Sequence, residues 1–266
     1  DLEITQSLDS FSTLSFSAPF EPERGSFRTD FKPFSYAPVS VTVGGDPLFT
    51  GTIINVDPSS YPDARRVGVS AYAKPGVLAD VNMPPSAWPL EYNGLTLPQV
   101  MERVCSPFGI GVVVDGDAGA PFERVALEPD GDPSAFLADL ARQRGYILRD
   151  KPDGRLWALR SAPASAQPVA RLREGVPPVV SVTPTFSPRD YYSEITGLGG
   201  ARSGRPGASA TASNTRLTDV VRPRVYKPED TEVGDVPAAS RAQLGRMFGA
   251  CVSYEIPMPT WRTPTG

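Results

Sequence analysis

The chain has 266 residues, 40% hydrophobic and 21% charged, which allows two or three compact units and excludes both a small disulfide scaffold and wholesale disorder. Its 30 prolines and 24 glycines argue against a helical bundle, because proline sits inside neither helices nor central strands. A net charge of -4 argues against a chain that grips nucleic acid by its phosphates.

Residues 1–73 are written in period two. Leu14, Phe16, Ala18 and Phe20 share one side of "LSFSAPF", and Val39, Val41 and Val43 share one side of "VSVTV". The glycines of "GGD" at 44–46 then turn the chain into "PLFTGTIINV", where Leu48, Ile54 and Val56 are expected in phase. Val67, Val69 and Ala71 supply a further strand, so 1–73 reads as a first small, barrel-like β domain.

A proline-rich connector is expected over 74–94. In the following stretch, 95–160, Thr96 and Gln99 form a capping box, and Leu97, Val100, Met101 and Val104 make one apolar helical stripe. "FGIGVVVDGD" reads as strand and turn. A second helix has Asp132 as N-cap, Pro133 at its first position and Gly145 as its left-handed stop. "YILRD" and "RLWALR" are strands joined by the turn "KPDG". Helix, strand, helix and hairpin make a compact α+β module.

Residues 161–178 have a linker's composition. From 179 to 266 strand texture resumes through "VVSVTPTF" and "YYSEITGLG", interrupted by an expected mobile loop at 199–213 that is rich in Gly, Ser and Ala. Ser240 and Gln243 predict the capping box of a short helix with Leu244, Met247, Phe248 and Cys251 on one face, and Cys251 is expected to open a closing strand. The expected fold class is α+β, mainly β, with two barrel-like β domains flanking a small α+β insertion.

Histidine is absent from the sequence, which removes Ser-His-Asp and Cys-His nucleophiles and histidine acid–base or zinc chemistry. Gly199, Gly200 and Gly204 with Arg202 and Arg205 lack the Lys-Ser/Thr that a phosphate loop needs. At Asp115 and Asp117 a calcium-loop start fails, because Ala126 stands where a bidentate glutamate belongs. Glu128, Asp130 and Asp132 could in principle serve carboxylate catalysis, but a helix cap already accounts for Asp132. Trp88, Trp157 and Trp261 are spread singly, as core or interface anchors. Cys105 and Cys251 are expected to be buried thiols rather than a bridge. No catalytic, cofactor-binding or metal-ligating residue is therefore assigned, and no cofactor is expected.

No apolar run reaches the roughly 18 residues of a membrane span, and the start lacks a basic-then-apolar signal. A soluble product made in a cytoplasm is expected. Because the chain begins at Asp1 and closes on "PMPTWRTPTG", the native polypeptide is expected to extend beyond one or both ends.

Three stretches carry a family likeness: "VTVGGDPLFTGTIINV", "GLTLPQVMERVCSPFGIGVVVDGD" and "FLADLARQRGYILRDKPDGRLWALRS". Their order and spacing resemble the baseplate hub proteins of contractile-tailed phages, the phage Mu gp44-like and late-control protein D group with a T4 hub-like fold. The matching positions are Gly94-Leu95-Thr96-Leu97, Pro107-Phe108-Gly109-Ile110, Arg144-Gly145-Tyr146 with Leu148, and Asp153-Gly154 with Leu156. The likeness covers 39–160 and, more loosely, 179–266.

That resemblance implies a structural, non-enzymatic virion protein of the tail baseplate. Three copies would form a pseudo-sixfold ring between the tail tube, or its adaptor proteins, and the central spike. It implies passage of DNA through a neutral to negative bore, without specific binding, during genome ejection. The alternative reading is a carboxylate-dependent glycan- or peptidoglycan-degrading tail enzyme. It requires a deep cleft that brings two of Glu128, Asp130 and Asp132 together, and their solvation on a turn would end it.

Overall fold

The computed structural model describes residues 1–8, 10–21, 23–61, 64–160, 167–168, 171–199, 207–227 and 236–259. The chain divides into two compact units, Asp1–Arg160 and Ser161–Gly266. With 34% of the described residues in strands and 25% in helices, the fold is α+β and mainly β.

The first unit opens on an antiparallel sheet of β1 (Leu2–Thr5), β2 (Thr13–Pro19), β3 (Pro38–Val43), β4 (Asp46–Tyr61) and β5 (Ala64–Ala73), in the order β1-β2-β5-β4-β3. Alternation decides its inner face: Leu14, Val67, Val69, Ala71 and Ala73 are buried, with Phe16, Ala18 and Phe20 packed against them. A short helix, α1 (Gly25–Asp30), lies in a segment whose sequence gave no helical signal. It adds Phe27, whose ring lies 6.3 Å from that of Phe20. Gly44 and Gly45, with φ of 62° and 92°, form the tight turn expected between β3 and β4.

The expected phase of β4 is corrected. Phe49, Gly51 and Ile53 face inward, and Leu48 and Ile54 do not. Each of those two is an extra residue at a bulge. Pairing with β3 steps from Val41↔Phe49 to Thr42↔Pro47, and pairing with β5 steps from Ile53↔Ala71 to Asn55↔Ser70. A bulge shifts a strand by one residue and so exchanges its faces. Val56 therefore packs inward although Phe49 and Ile53 do too.

The remainder of this unit has its own core. The helix α2 (Leu97–Cys105) starts at the expected capping box, with the Gln99 side chain accepting the Thr96 N–H at 2.9 Å. It buries Leu97, Val100, Met101, Val104 and Cys105, each larger apolar side chain contributing about 1.5–3 kcal/mol. The strand β6 (Val112–Val114) follows, then α3 (Pro133–Gln143) and the hairpin β7 (Tyr146–Asp150) and β8 (Leu156–Arg160). The sheet order is β6-β8-β7, with β6 parallel to β8. Asp132 caps α3 as read from the sequence, its Oδ1 accepting the N–H groups of Ser134 and Ala135 at 2.7 and 3.0 Å. Asp132→Ala is expected to lower the stability of this unit by about 1 kcal/mol, read as a shift of the denaturation midpoint. Residues 74–94, read as a connector, are part of this core through Leu78, Met83, Leu90 and Tyr92. Their prolines fit because the segment forms two 3-10 turns and a single bridge, Glu91↔Ala126, instead of a ladder.

The hairpin fastens this module to the first sheet. Asp150 accepts the Ser12 N–H at 2.7 Å, and Thr50 donates to the Pro152 carbonyl at 2.7 Å. Ser12 is buried, so its N–H requires that acceptor. In the turn itself, hydrogen bonding to Arg155 holds the Asp153 carboxyl below its ordinary range.

In the second unit β10 (Glu194–Leu198) lies between antiparallel β11 (Ser209–Ser213) and parallel β12 (Pro223–Tyr226). A separate ribbon pairs β9 (Thr183–Phe186) with β13 (Val252–Glu255). The helix α4 (Val236–Cys251) supplies Met247 and Cys251, which pack with Ile195, and Tyr191, Tyr226, Leu244 and Phe248 surround them. Three expectations change here. Ser209–Ser213, given to a mobile loop, is a strand, because alternation places the small side chains of Ala210 and Ala212 on the covered side. Residues 200–206 of that loop lie outside the described residues. Ser240 is not a cap: α4 begins at Val236, and the buried Ser240 hydroxyl accepts the Gly197 N–H at 3.2 Å and donates to the Ala210 carbonyl at 2.9 Å. Cys251 ends the helix and does not open β13.

Candidate assembly surfaces

The three candidate catalytic acids do not form a cleft. Glu128, Asp130 and Asp132 are all exposed on the turn before α3, and Asp132 is occupied by the helix N-terminus. Glycosidic chemistry needs two carboxyls facing one enclosed sugar, which an open turn does not supply. The other acidic pair is structural. Asp115 accepts the Trp157 indole N–H at 2.9 Å, Asp117 accepts the Gly119 N–H at 2.9 Å, and the Tyr146 hydroxyl donates to the Asp115 carbonyl at 2.7 Å. Among the described residues no three His, Cys, Asp or Glu side chains gather where a metal could be held. Arg202, Arg205 and Trp261 lie outside the described residues, whereas Gly199 donates its N–H to the Ala208 carbonyl at 2.7 Å.

Both cysteines are free and buried, as read from the sequence. Burial pushes the Cys105 thiol up to about 12, so it holds its proton at neutral pH. A maleimide added to the native protein at pH 7 is expected to leave Cys105 unlabelled and to label it once denaturant is added. Labelling in the native state would contradict the packing of α2.

What the surface does present is uncovered apolar area and open strand edges. The ribbon β9/β13 is the clearest case, since every residue of both strands is exposed. Its register sets Val252 opposite Phe186 and Tyr254 opposite Pro184, which places these four on one face and Thr183, Thr185, Ser253 and Glu255 on the other. The Phe186 and Tyr254 rings meet edge-to-face at 6.4 Å, yet they remain 67% and 58% exposed. A two-stranded ribbon is marginal alone, and one with a bare aromatic face is more so. The alternation in "TPTF" and "VSYE" was visible in the sequence, although nothing there told which face would be left uncovered.

The first unit carries a second patch. Phe34, 95% exposed, and Tyr36 lie beside Ile54 and Val56 along an open groove that Lys32 also lines. Both aromatics take positive φ, 61° and 48°, a conformation that costs a bulky residue roughly 1 kcal/mol or more. The strands β1 and β3 are the outer strands of their sheet. Such edges invite pairing with another chain. Trp88 is half exposed.

Bare apolar faces and open edges of this kind are what a contact with another chain would cover. The family model of the second domain of gp44-like baseplate hub proteins matches residues 76–160. Residues 76–160 carry a gp44-like second domain. Over 98% of its length, and 78% of the other chain, the chain is similar to the 43 kDa tail protein of prophage MuSo2 from Shewanella oneidensis, with 26% identity and a TM-score of 0.75. A tail protein from Neisseria meningitidis shares its fold over the whole chain and 77% of that chain, with 19% identity and a TM-score of 0.78. The prophage tail protein gp18 from Listeria monocytogenes shares it over 91% of this chain and 69% of that one, with 12% identity and a TM-score of 0.55. No curated protein sequence matches. The family model covers the helix–strand–helix–hairpin module that carried the resemblance in the sequence, together with the preceding turns. No helix of the described residues is long and apolar enough to cross a membrane.

Proposed function

We propose that three copies of this hub-like protein close into a ring in the tail baseplate, joining the tail tube or its adaptor proteins to the central spike and letting DNA pass. The observation that carries the reading is the gp44-like second domain at 76–160, set in a chain that is similar to a tail protein along nearly all its length. The uncovered ribbon face and open strand edges support it, because ring closure covers edges that would otherwise aggregate. Each chain contributes two barrel-like β domains, 1–73 and 179–266, so that three copies present six similar modules to a sixfold tube and three to a threefold spike. The α+β module over 95–160 lies outside the ring.

The ring works by assembly and turns over no substrate. Made in the host cytoplasm, the protein ends in the virion. Its bore is neutral to negative, since the chain carries -4 and phosphate sliding past few counter-charges is not held. Electron microscopy of particles that carry a tagged copy tests this. The tag is expected around the tail axis at the baseplate end in threefold averages. A label along the tube or on the capsid would contradict the reading, and a strongly basic bore in the averaged ring would contradict passive passage.

A further inference from the structure

The second unit holds a cluster that ring closure does not explain. Arg222 and Arg224 lie with their guanidinium carbons 5.9 and 5.1 Å from the Tyr192 ring centre. Arg222 donates to the carbonyls of Tyr191 at 3.1 Å and Arg189 at 2.7 Å, and Arg224 donates to the Tyr192 hydroxyl at 2.7 Å. The Tyr192 ring with two carbonyls at Arg222 and a hydroxyl at Arg224 thus holds both cations in place, and little side-chain entropy is left to lose when an anion arrives. Within the described residues they face one carboxylate, that of Asp190, 4.0 Å from Arg224 and itself 60% exposed.

Both arginines lie at β12, which is an edge strand. The sheet order β11-β10-β12 leaves one side of β12 unpaired among the described residues of this unit. The Arg222 carbonyl accepts the Ser193 N–H at 2.9 Å, toward β10. Strand alternation then directs the N–H and C=O of Val225 to the open side. The register also separates the two faces: Arg224 stands opposite Ile195, and Val225, 60% exposed, stands opposite Thr196 on the other face. An added strand would meet guanidinium on one face and valine on the other.

We propose that the open edge of β12 takes up an extended segment of another protein as an added strand, with carboxylates facing Arg222 and Arg224 and apolar residues alternating with them on the Val225 face. Main-chain pairing supplies the affinity, and the paired guanidiniums supply the preference for acids. A nucleic acid fits less well, because the ring on which bases would stack is already covered by arginine and the neighbouring Val221 is 89% exposed. The inference concerns a different partner from the ring contact and does not depend on the number of copies.

The test uses the whole chain and a short fluorescein-labelled peptide of alternating glutamate and valine, followed by fluorescence anisotropy. Saturable binding is expected. It should weaken by roughly tenfold or more in the Arg222→Glu/Arg224→Glu double variant and be lost in Val225→Pro, which removes the outward N–H where an edge strand tolerates proline. It should also be lost with a backbone N-methylated peptide. Because Arg222 braces two carbonyls, Val225→Pro keeps the test meaningful if the arginine variant does not fold. Absence of saturable binding, or binding indifferent to these changes, overturns the proposal. Tighter binding of single-stranded oligothymidylate at the same arginines overturns it in favour of nucleic acid. If Val225→Pro instead lowers the native mass, the edge belongs to a contact between copies. A wrong ring stoichiometry with intact peptide binding would touch only the hub proposal.

Discussion

Gly51→Ala is expected to destabilise the first unit severely. Gly51 lies in β4 opposite Val39 on one side and Ala73 on the other, so its backbone is held in two ladders at once. A Cβ there would sit 2.0 Å from the Tyr72 carbonyl oxygen and 2.7 Å from the Phe49 ring. Neither neighbour can yield: the carbonyl belongs to β5, and Phe49 is buried at 1% exposure. Glycine within a strand marks this kind of close backbone approach. Relief requires separating β4 from β5, the pair on which the sheet is centred, at a cost above roughly 3 kcal/mol and a large share of a domain's total stability. Soluble yield and a denaturant titration measure it. Gly25→Ala is the control, because a Cβ at Gly25 meets nothing within 4 Å. A Gly51→Ala protein with the parent's midpoint would contradict the path of β4.

Phe186→Ser together with Tyr254→Ser is expected to leave the protein folded and to take the proposed ring apart. The two rings stand outside the core of their unit, which is built on Ile195, Met247 and Cys251, so circular dichroism should be nearly unchanged. As part of a ring contact they would act as its aromatic anchors, worth about 2 kcal/mol or more each when truncated. Repeated at each contact, the double change weakens association by about two orders of magnitude or more. Sedimentation velocity of parent and variant at equal concentration reads it. A variant that sediments as the parent does would remove the ribbon from the proposed contact.

Much of this architecture could be read from residue order. Where one face of a strand or helix packs on a core, period alone located it, as in Leu14 to Phe20, Val67 to Ala71 and the α2 stripe. The caps at Thr96 and Asp132 were legible because they are local chemistry, a side chain and its own first turn. Ser240 shows the limit of that signal. The same Ser-x-x-Gln spacing occurs inside α4, where the hydroxyl serves two strands instead. Bulges at Leu48 and Ile54 were invisible because an inserted residue leaves a plausible alternation on either side of it. The small residues of β11 read as a loop because a strand beside a helix can be covered without bulky side chains.

The surfaces were harder to read than the core. An apolar alternation such as Val252 and Tyr254 looks the same in sequence whether its face is covered by its own chain or left bare. Counting charges hid the arginines of β12 in the same way, since a net of -4 is compatible with a local excess of cations beside Tyr192. The absence of histidine, by contrast, settled much at once, because the catalytic arrangements it removes depend on that one side chain.

The central claim is that lone copies leave the ribbon face and strand edges open and that only several around one axis cover them. Light scattering coupled to size exclusion, run on the complete natural polypeptide across a range of concentrations, tests this most directly. The account predicts a mass three times that of one chain, held on dilution. A single-chain mass that persists at the highest concentration reached would contradict it.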